Sequence, residues 1–221
     1  STGNTTDFGD LTVAVGDTAG FQGGGRGVFG GGSTGTDNNT GTRTNVIQYI
    51  TVANTGNATD FGDLTSAKTQ LGGASNKSRG LFAGGTDSSG HTDTIEYITI
   101  ASTGNGTDFG DMSEAKDDMS MCSNSTRGIF FGGRTGSAIN TIEYITISTT
   151  GNTTDFGDLT AVTQDAPSAA SPTIAICGNI NETVTVDQIT IASTGNSTDF
   201  GDQLSVRSSS SGASNVHGGL S

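Results

Sequence analysis

The sequence predicts an all-β fold, a β-propeller with four-stranded blades. Three observations point to it: the motif Thr-Asp-Phe-Gly-Asp occurs five times, short rows of β-branched and aromatic residues recur with it, and segments rich in Gly, Asn, Ser and Thr separate these rows. The motif copies are 53, 48, 47 and 44 residues apart, a period typical of propeller blades or helical hairpin arrays. No stretch shows helical spacing of apolar residues, so each repeat is predicted to be a blade. The motif phenylalanines are Phe8, Phe61, Phe109, Phe156 and Phe200.

Each repeat contains four segments that predict strands. The clearest is Ile-Glu-Tyr-Ile-Thr-Ile at residues 95–100 and 142–147, with related forms in the other repeats. An apolar row ending in a glycine pair precedes it in three repeats, and the Thr-Asp-Phe-Gly-Asp motif follows as the returning strand. A Gly-Asn pair before the motif predicts a tight hairpin. The fourth segment, at 70–75 and 119–123, has uncharged and mostly small residues, which suit the crowded centre of a propeller.

The repeats predict that residues 1–221 form a single propeller segment. The fourth complete repeat is degenerate, since Gln188 replaces the tyrosine and Thr173 is expected where the others carry arginine. A fifth repeat is divided between the two ends of the sequence. Either the N-terminal strand closes a ring with the C-terminal strands, or further blades lie outside this sequence. The divided repeat has too few residues for a complete blade, which favours the second interpretation. The predicted repeats are 1–10 (partial), 11–63, 64–111, 112–158, 159–202 and 203–221 (partial).

Composition excludes several classes of partner. The chain has 9 Lys and Arg against 22 Asp and Glu, a formal net charge of −13 and a pI near 4.1. Such a chain can release few counterions from nucleic acid and is repelled by anionic membrane surfaces, so neither is expected as a partner. No apolar run approaches the roughly 20 residues that span a bilayer.

Three arginines occupy one repeat position and are the candidate ligand-binding residues: Arg26, Arg79 and Arg127. They could form a ring that captures an anionic glycan or carboxylate. The favoured alternative is that each pairs with a repeat carboxylate, and the candidates are Asp63, Glu96, Asp111 and Glu143. The long segment 33–43 of the first repeat is the best place for a binding loop, because recognition usually occurs on loops of a rigid scaffold. The favoured alternative is a plain solvated loop.

The motif aspartates, represented by Asp60, Asp63, Asp108 and Asp111, allow two hypotheses. Paired carboxylates near Asn and Thr oxygens could bind calcium, although the dense spacing of known calcium loops is missing. We favour the second, in which the aspartates bond turn amides and the motif phenylalanine fills the gap to the adjacent blade. No cofactor is expected.

Cys122 and Cys177 fall at different positions of their repeats, in the inner strand and in the following strand. Buried free thiols are expected, with a disulfide as the alternative. Neither histidine has a Ser or Cys partner repeated around it, and no pair of carboxylates stands apart from its repeat neighbours. The chain is therefore predicted not to be an enzyme.

The glycine pair after an apolar strand, with a tyrosine further on, resembles the kelch type of propeller blade without its usual tryptophan. Residues 94–111 resemble repeats in virion-associated proteins of marine tailed phages, particularly cyanophages, and residues 214–220 resemble a variant of their inner strand. The resemblance covers nearly the whole chain.

The resemblance implies a kelch-like propeller in the virion, as a non-enzymatic structural or host-recognition module of a tail fibre, appendage or decoration. Its implied partners are other virion proteins and a host-surface glycan or protein, with several copies of the chain assembled on one particle. The alternative is a secreted bacterial adhesin or lectin-like propeller at the cell surface, since similar repeats occur there.

Overall fold

The computed structural model describes residues 4–35, 41–179, 183–205 and 212, and it confirms the all-β fold. These residues contain strands but no helix, so this part of the chain has no helix that could cross a membrane. Residues 214–220, which carry part of the resemblance, lie outside the described residues. The strands are β1 (Ala19–Gly23), β2 (Arg26–Gly30), β3 (Val46–Thr51), β4 (Thr59–Asp63), β5 (Gly72–Ser75), β6 (Arg79–Ala83), β7 (Thr86–Asp87), β8 (Gly90–His91), β9 (Thr94–Thr99), β10 (Thr107–Asp111), β11 (Ser120–Ser123), β12 (Arg127–Phe131), β13 (Ile139–Thr146), β14 (Thr154–Thr163), β15 (Ser168–Ala170), β16 (Ile174–Gly178), β17 (Thr185–Thr190) and β18 (Thr198–Asp202).

The strands form four antiparallel sheets, which are the blades of a four-blade β-propeller. Within each blade the strands pair in chain order from the inner to the outer strand, and β7 and β8 form a separate hairpin. The first strands of successive blades contact one another around the hub, as predicted for the segments at 70–75 and 119–123. Blades 1 to 4 are β1-β2-β3-β4, β5-β6-β9-β10, β11-β12-β13-β14 and β15-β16-β17-β18.

A cluster of buried apolar side chains fills the interface between each blade and the next. We call the side of a blade that faces the next blade its leading face, and the opposite side its trailing face. On the leading face of blade 1, Val28 and Phe61 pack against Phe82 and Ile98 on the trailing face of blade 2. Equivalent side chains fill the next two interfaces, so the core is three thin layers instead of one central mass.

The two ends of the blades carry different loops. The turn face holds the loops between third and fourth strands, which have seven residues in every blade: 52–58, 100–106, 147–153 and 191–197. The loop face holds the connectors between blades and the segments between second and third strands. These segments differ in length from blade to blade: 31–45, 84–93, 132–138 and 179–184.

The Gly-Asn pairs do not form tight hairpins, so that prediction was wrong. They lie within the seven-residue loops and bond the outer strand of the preceding blade. Gly104 N–H donates to the Phe61 carbonyl oxygen at 2.7 Å, and Asn105 Oδ1 accepts from Asp63 N–H at 3.1 Å. The same bonds join blade 2 to blade 3 and blade 3 to blade 4, so each pair acts between blades.

The glycine pairs at the end of the second strands sit where the backbone of two blades comes close. Gly84 and Gly85 have φ of 58° and 89°. A Cβ on Gly84 would lie 2.5 Å from the Lys116 carbonyl oxygen, and one on Gly85 would lie 2.5 Å from the Thr69 carbonyl oxygen. Only glycine combines this backbone with this packing, which explains why the pair recurs.

Two lysine–glutamate ion pairs are buried where a connector crosses the trailing face of the next blade. Lys68 Nζ lies 2.8 Å from Glu96 Oε1, and Lys116 bonds Glu143; each side chain is at most 3% exposed. Burial by itself would raise the pKa of Glu143, but the Lys116 charge and the bonds from Lys116, Thr153 and Ser113 hold that pKa below its usual value. These carboxylates also anchor the connector, since Thr65 donates its N–H and Oγ1–H to Glu96.

The position of these ion pairs is occupied by uncharged side chains in blade 1. There Gln48 is buried and accepts from the N–H and Oγ1–H of Thr12, at 2.6 and 2.7 Å, and Val15 stands at the lysine position of the connector. The connector is therefore held by the side-chain oxygen on the third strand. A lysine neutralises this carboxylate in blades 2 and 3, whereas in blade 4 the buried Asp187 accepts from the N–H and Oγ1–H of Thr160 and from Asn179 Nδ2.

We expect Lys116→Val to destabilise the protein by about 3–5 kcal/mol, because it leaves the Glu143 carboxylate buried without a positive charge beside it. The double variant Lys116→Val/Glu143→Gln copies the neutral site of blade 1 and should recover most of this loss. Urea unfolding of the two single variants and the double variant measures the coupling. A double variant no more stable than Lys116→Val would contradict this account.

Candidate functional site

The three candidate arginines lie in separate interfaces, where each joins its own blade to the next. Arg26, Arg79 and Arg127 donate from NH1 to the carbonyl oxygens of Ile100, Ile147 and Ile191, at 2.6, 3.0 and 2.6 Å. Each guanidinium lies over the tyrosine of its own blade, 4.3 to 4.5 Å from the ring centroid. We call this arrangement of arginine, tyrosine and carbonyl a staple.

The predicted pairing of these arginines with repeat carboxylates was wrong. Glu96 and Glu143 bind lysines instead, and the arginines bind carbonyl groups on the turn face. The reason is register, because the arginine begins the second strand next to the tyrosine, while the glutamate lies on the other side of the sheet. The position in blade 4 also differs from the prediction: Ile174 pairs with Thr190 as Arg127 pairs with Thr146, so isoleucine and not Thr173 replaces the arginine.

The motif residues line the outer edge of each interface. Phe61, Phe109 and Phe156 are each 2% exposed and pack edge-on against the tyrosine of their blade, whereas Phe8 is half-buried and Phe200 is exposed. The carboxylates of Asp7 and Asp199 accept from the glycine N–H two residues later. Asp60, Asp108 and Asp111 are exposed and Asp63 is half-buried.

Metal ligands are not clustered in the part of the chain that the structure describes: no group of three or more His, Cys, Asp or Glu side chains there is placed to hold an ion. Cys122 and Cys177 are free, buried thiols, as expected, in the interface between blades 3 and 4. Burial raises the pKa of Cys122 to about 12, so this thiol stays protonated and unreactive at neutral pH.

A ring of polar residues at the loop-face end of the hub was not predicted. Asp17, Gln70, Asp118 and Asp165 each precede an inner strand, and all four have φ between 51° and 59°, a left-handed backbone that costs energy in residues other than glycine. The N–H groups of Gln70, Asp118 and Asp165 each donate to the carbonyl oxygen of the previous member, at 2.8 to 3.1 Å. We call these four residues the hub ring. The signal was present in the sequence, since each follows the last motif aspartate by seven positions.

The hub ring concentrates acidic groups. Burial, and then the charges of Asp165 and Asp117, raise the pKa of Asp118 to about 7, against the opposing effects of Arg134 and Gln70. Burial also raises the pKa of Asp165, whose carboxyl group is hydrogen-bonded to that of Asp118. One proton shared by the two carboxyl groups therefore relieves their repulsion.

The loops around the hub ring are tied to it through Asp117. Its carboxylate accepts from Arg134 Nε at 3.0 Å and NH2 at 2.9 Å, and from Thr86 Oγ1 at 2.8 Å. His91 Nδ1 lies 3.3 Å from the same carboxylate. The segments after the second strands of blades 2 and 3 are thus fixed to the connector that carries the hub ring.

All four residues of the hub ring line a pocket of about 290 Å³, called the hub pocket below. Below it a second pocket of about 390 Å³ runs between the inner strands and along the trailing face of blade 1. The loop face therefore presents a concave, acidic centre edged by loops of unequal length. The candidate binding loop at 33–43 belongs to this edge, although its residues 36–40 lie outside the described residues.

No protein-family model matches the sequence, and no curated protein matches it at a significant level.

We expect Arg79→Ala to lower the free energy of unfolding by about 2 kcal/mol, since it removes a charged hydrogen bond and a cation–π contact. Arg79→Lys keeps the charge without the planar stacking and should lose less. Urea unfolding compares the two variants. If both are as stable as the parent protein, the staple does not join blades 2 and 3.

The raised pKa of Asp118 predicts a loss of stability with rising pH. The folded state holds the shared proton more tightly than the unfolded chain, so its stabilising effect is complete below the usual aspartate pKa and is lost as the pH rises through about 7. Asp118→Asn keeps a residue that tolerates the left-handed backbone. We expect its Tm to exceed that of the parent by a few degrees at pH 8.5 and to match it near pH 3.5. Thermal unfolding across this range is the measurement, and parallel pH profiles would contradict the assignment.

Proposed function

We propose that the chain is a non-enzymatic structural or host-recognition module of a phage particle, in a tail fibre, appendage or decoration of the virion. The observation that carries the recognition part is the contrast between the two faces of the propeller. Turn-face loops have one length and nearly one sequence, whereas the corresponding loop-face segments range from 31–45 in blade 1 to 179–184 in blade 4. Variation confined to one face of a rigid scaffold is typical of a recognition surface.

The charged side chains of the repeat support a structural and not a catalytic role. The staple arginines and the buried Lys68–Glu96 and Lys116–Glu143 pairs all bind partners within the protein. Side chains held in this way orient the blades relative to one another and leave the loops as the variable element.

Recognition of a host-surface glycan or protein would take place at the hub pocket and the loops around it. The acidic hub ring disfavours anionic sugars through like-charge repulsion. Neutral glycans and basic protein segments are therefore the ligands that suit the loop face. Several copies on a particle, held by other virion proteins, would raise avidity where each contact is weak.

We expect mass spectrometry of purified phage particles to detect the chain as a stoichiometric component. Particles prepared from the same lysate by an independent density step are the control for carry-over. Absence of the chain from particles would contradict the virion role, and its recovery on bacterial surfaces would support the adhesin alternative instead.

A pair of matched variants tests the loop face. Ser88→Arg places a bulky charge at the exposed β7–β8 turn of the loop face, and Thr103→Arg places the same charge on an exposed turn-face loop. We expect Ser88→Arg to weaken binding to host cells at least tenfold, with Thr103→Arg unchanged, in a cell-adsorption assay with purified protein. Equal effects of the two variants would contradict recognition through the loop face.

A further inference from the structure

The turn-face loop of blade 2 contains an Asn-Gly dipeptide, Asn105-Gly106, which occurs nowhere else in the sequence. In the other blades the equivalent asparagine is followed by Ala58, Thr153 or Ser197. In an Asn-Gly pair the glycine nitrogen can attack the asparagine side-chain amide, because the glycine has no side chain to obstruct the approach. Ring closure forms a succinimide and releases ammonia, and water then opens the ring to an aspartyl or an isoaspartyl residue.

The buried carboxylate of Glu96 explains why glycine occupies this position in blade 2. A Cβ on Gly106 would lie 2.7 Å from Glu96 Oε2. This oxygen accepts from Thr65 N–H at 3.0 Å and its side chain is buried, so moving it aside would break the anchor of the connector. In blade 3, by contrast, Thr153 takes the glycine position and donates its hydroxyl to Glu143. The reactive dipeptide is therefore a consequence of how blade 2 packs its own carboxylate.

In the folded protein both reacting groups are bonded to blade 1. Gly106 N–H donates to the Asp63 carbonyl oxygen at 2.7 Å, and Asn105 Oδ1 accepts from Asp63 N–H at 3.1 Å. The first bond occupies the nitrogen that would attack, and the second orients the amide that would be attacked. Because both bonds end on one residue, both are lost together when the loop leaves the outer strand of blade 1. The interface between blades 1 and 2 therefore protects the dipeptide.

The staple of blade 1 holds the same loop. Arg26 NH1 donates to the carbonyl oxygen of Ile100, the first residue of loop 100–106, at 2.6 Å. Water reaches the dipeptide, because Asn105 is exposed and lines a turn-face pocket of about 150 Å³. Local opening of this interface, and not the entry of water, is thus the step that limits the reaction.

We propose that Asn105 is a self-modification site, at which an opening of the interface between blades 1 and 2 is converted into a permanent isoaspartyl linkage. The Gly106 nitrogen loses its proton to the solvent and attacks Asn105 Cγ, and the bond from Cγ to Nδ2 breaks as ammonia leaves. Water then adds to the main-chain carbonyl carbon of the succinimide, which becomes a carboxylate while the chain continues through Cγ. The loop gains one backbone atom and a negative charge beside Asp63 and Glu96, so it cannot close again in its original geometry.

The first test incubates the protein of 221 residues at slightly alkaline pH, with and without enough urea to unfold it. Peptide mapping by mass spectrometry measures the isoaspartate at each asparagine. We expect isoaspartate at Asn105 to form at least tenfold faster in urea, with Asn57, Asn152 and Asn196 modified far more slowly in both samples. Equal rates at Asn105 in the two samples, or faster modification of another loop asparagine, would overturn the proposal.

A second test weakens one interface at a time under native conditions. Arg26→Ala removes the staple that holds loop 100–106, and Arg127→Ala removes the staple between blades 3 and 4, which has the same hydrogen-bond and stacking distances. We expect isoaspartate at Asn105 to form severalfold faster in Arg26→Ala than in the parent, and at the parent rate in Arg127→Ala. Arg26→Lys and Arg127→Lys give the same comparison if an alanine variant does not fold. Equal rates within a pair would contradict protection by this interface.

A third measurement separates the longer backbone from the added charge. The isoaspartyl protein is purified by anion exchange, and its thermal unfolding is compared with that of Asn105→Asp, which carries the charge on an unaltered backbone. We expect the isoaspartyl protein to have the lower Tm. An isoaspartyl protein as stable as the parent would show that the loop closes again, and the modification would then not be a permanent record of opening.

Discussion

The bond between the outer strand of one blade and the Gly-Asn loop of the next is the contact on which the propeller depends. A single four-stranded sheet of this composition has two apolar faces and no helix to cover them, so it needs a neighbour on each side. The loop fixes the distance between neighbours, because its backbone lies directly on the motif glycine. Once that distance is set, the phenylalanine, the arginine and the buried carboxylate find their partners in the adjacent blade.

This arrangement explains how a chain with 30% hydrophobic residues and a net charge of −13 forms a folded core. Thin layers require few large side chains, and much of the binding between blades is polar. Buried ion pairs seldom add net stability, but a misaligned blade would leave Glu96 or Glu143 charged and unpaired. The pairs therefore act against wrong alignments of the sheets, and Gln48 shows that the same position can be filled without charge.

The sequence was sufficient to predict the blades, because repetition and strand composition act within one repeat. It was also sufficient to predict that segments 70–75 and 119–123 lie at the centre and that Cys122 and Cys177 are free, buried thiols. Contacts between repeats were harder to predict. The arginines were predicted to pair with carboxylates because the sequence shows which residues are charged but not how the strands pair. Ile174 was missed because the fourth repeat is offset by one residue from its apparent alignment. The hub ring and the buried lysines recur at fixed distances from the motif, but their neighbours come from other blades, which a single repeat does not reveal.

Leading and trailing faces are chemically different surfaces, and this gives the array of blades a direction. One face offers the motif glycine and an arginine that reaches outward, and the other offers a loop and a carbonyl group. Surfaces of this kind match only in a head-to-tail sense, so two copies of the chain that met through them could not be related by a twofold axis. Assembly by this route would be heterologous, and it would end only in a closed ring or continue as a polar filament.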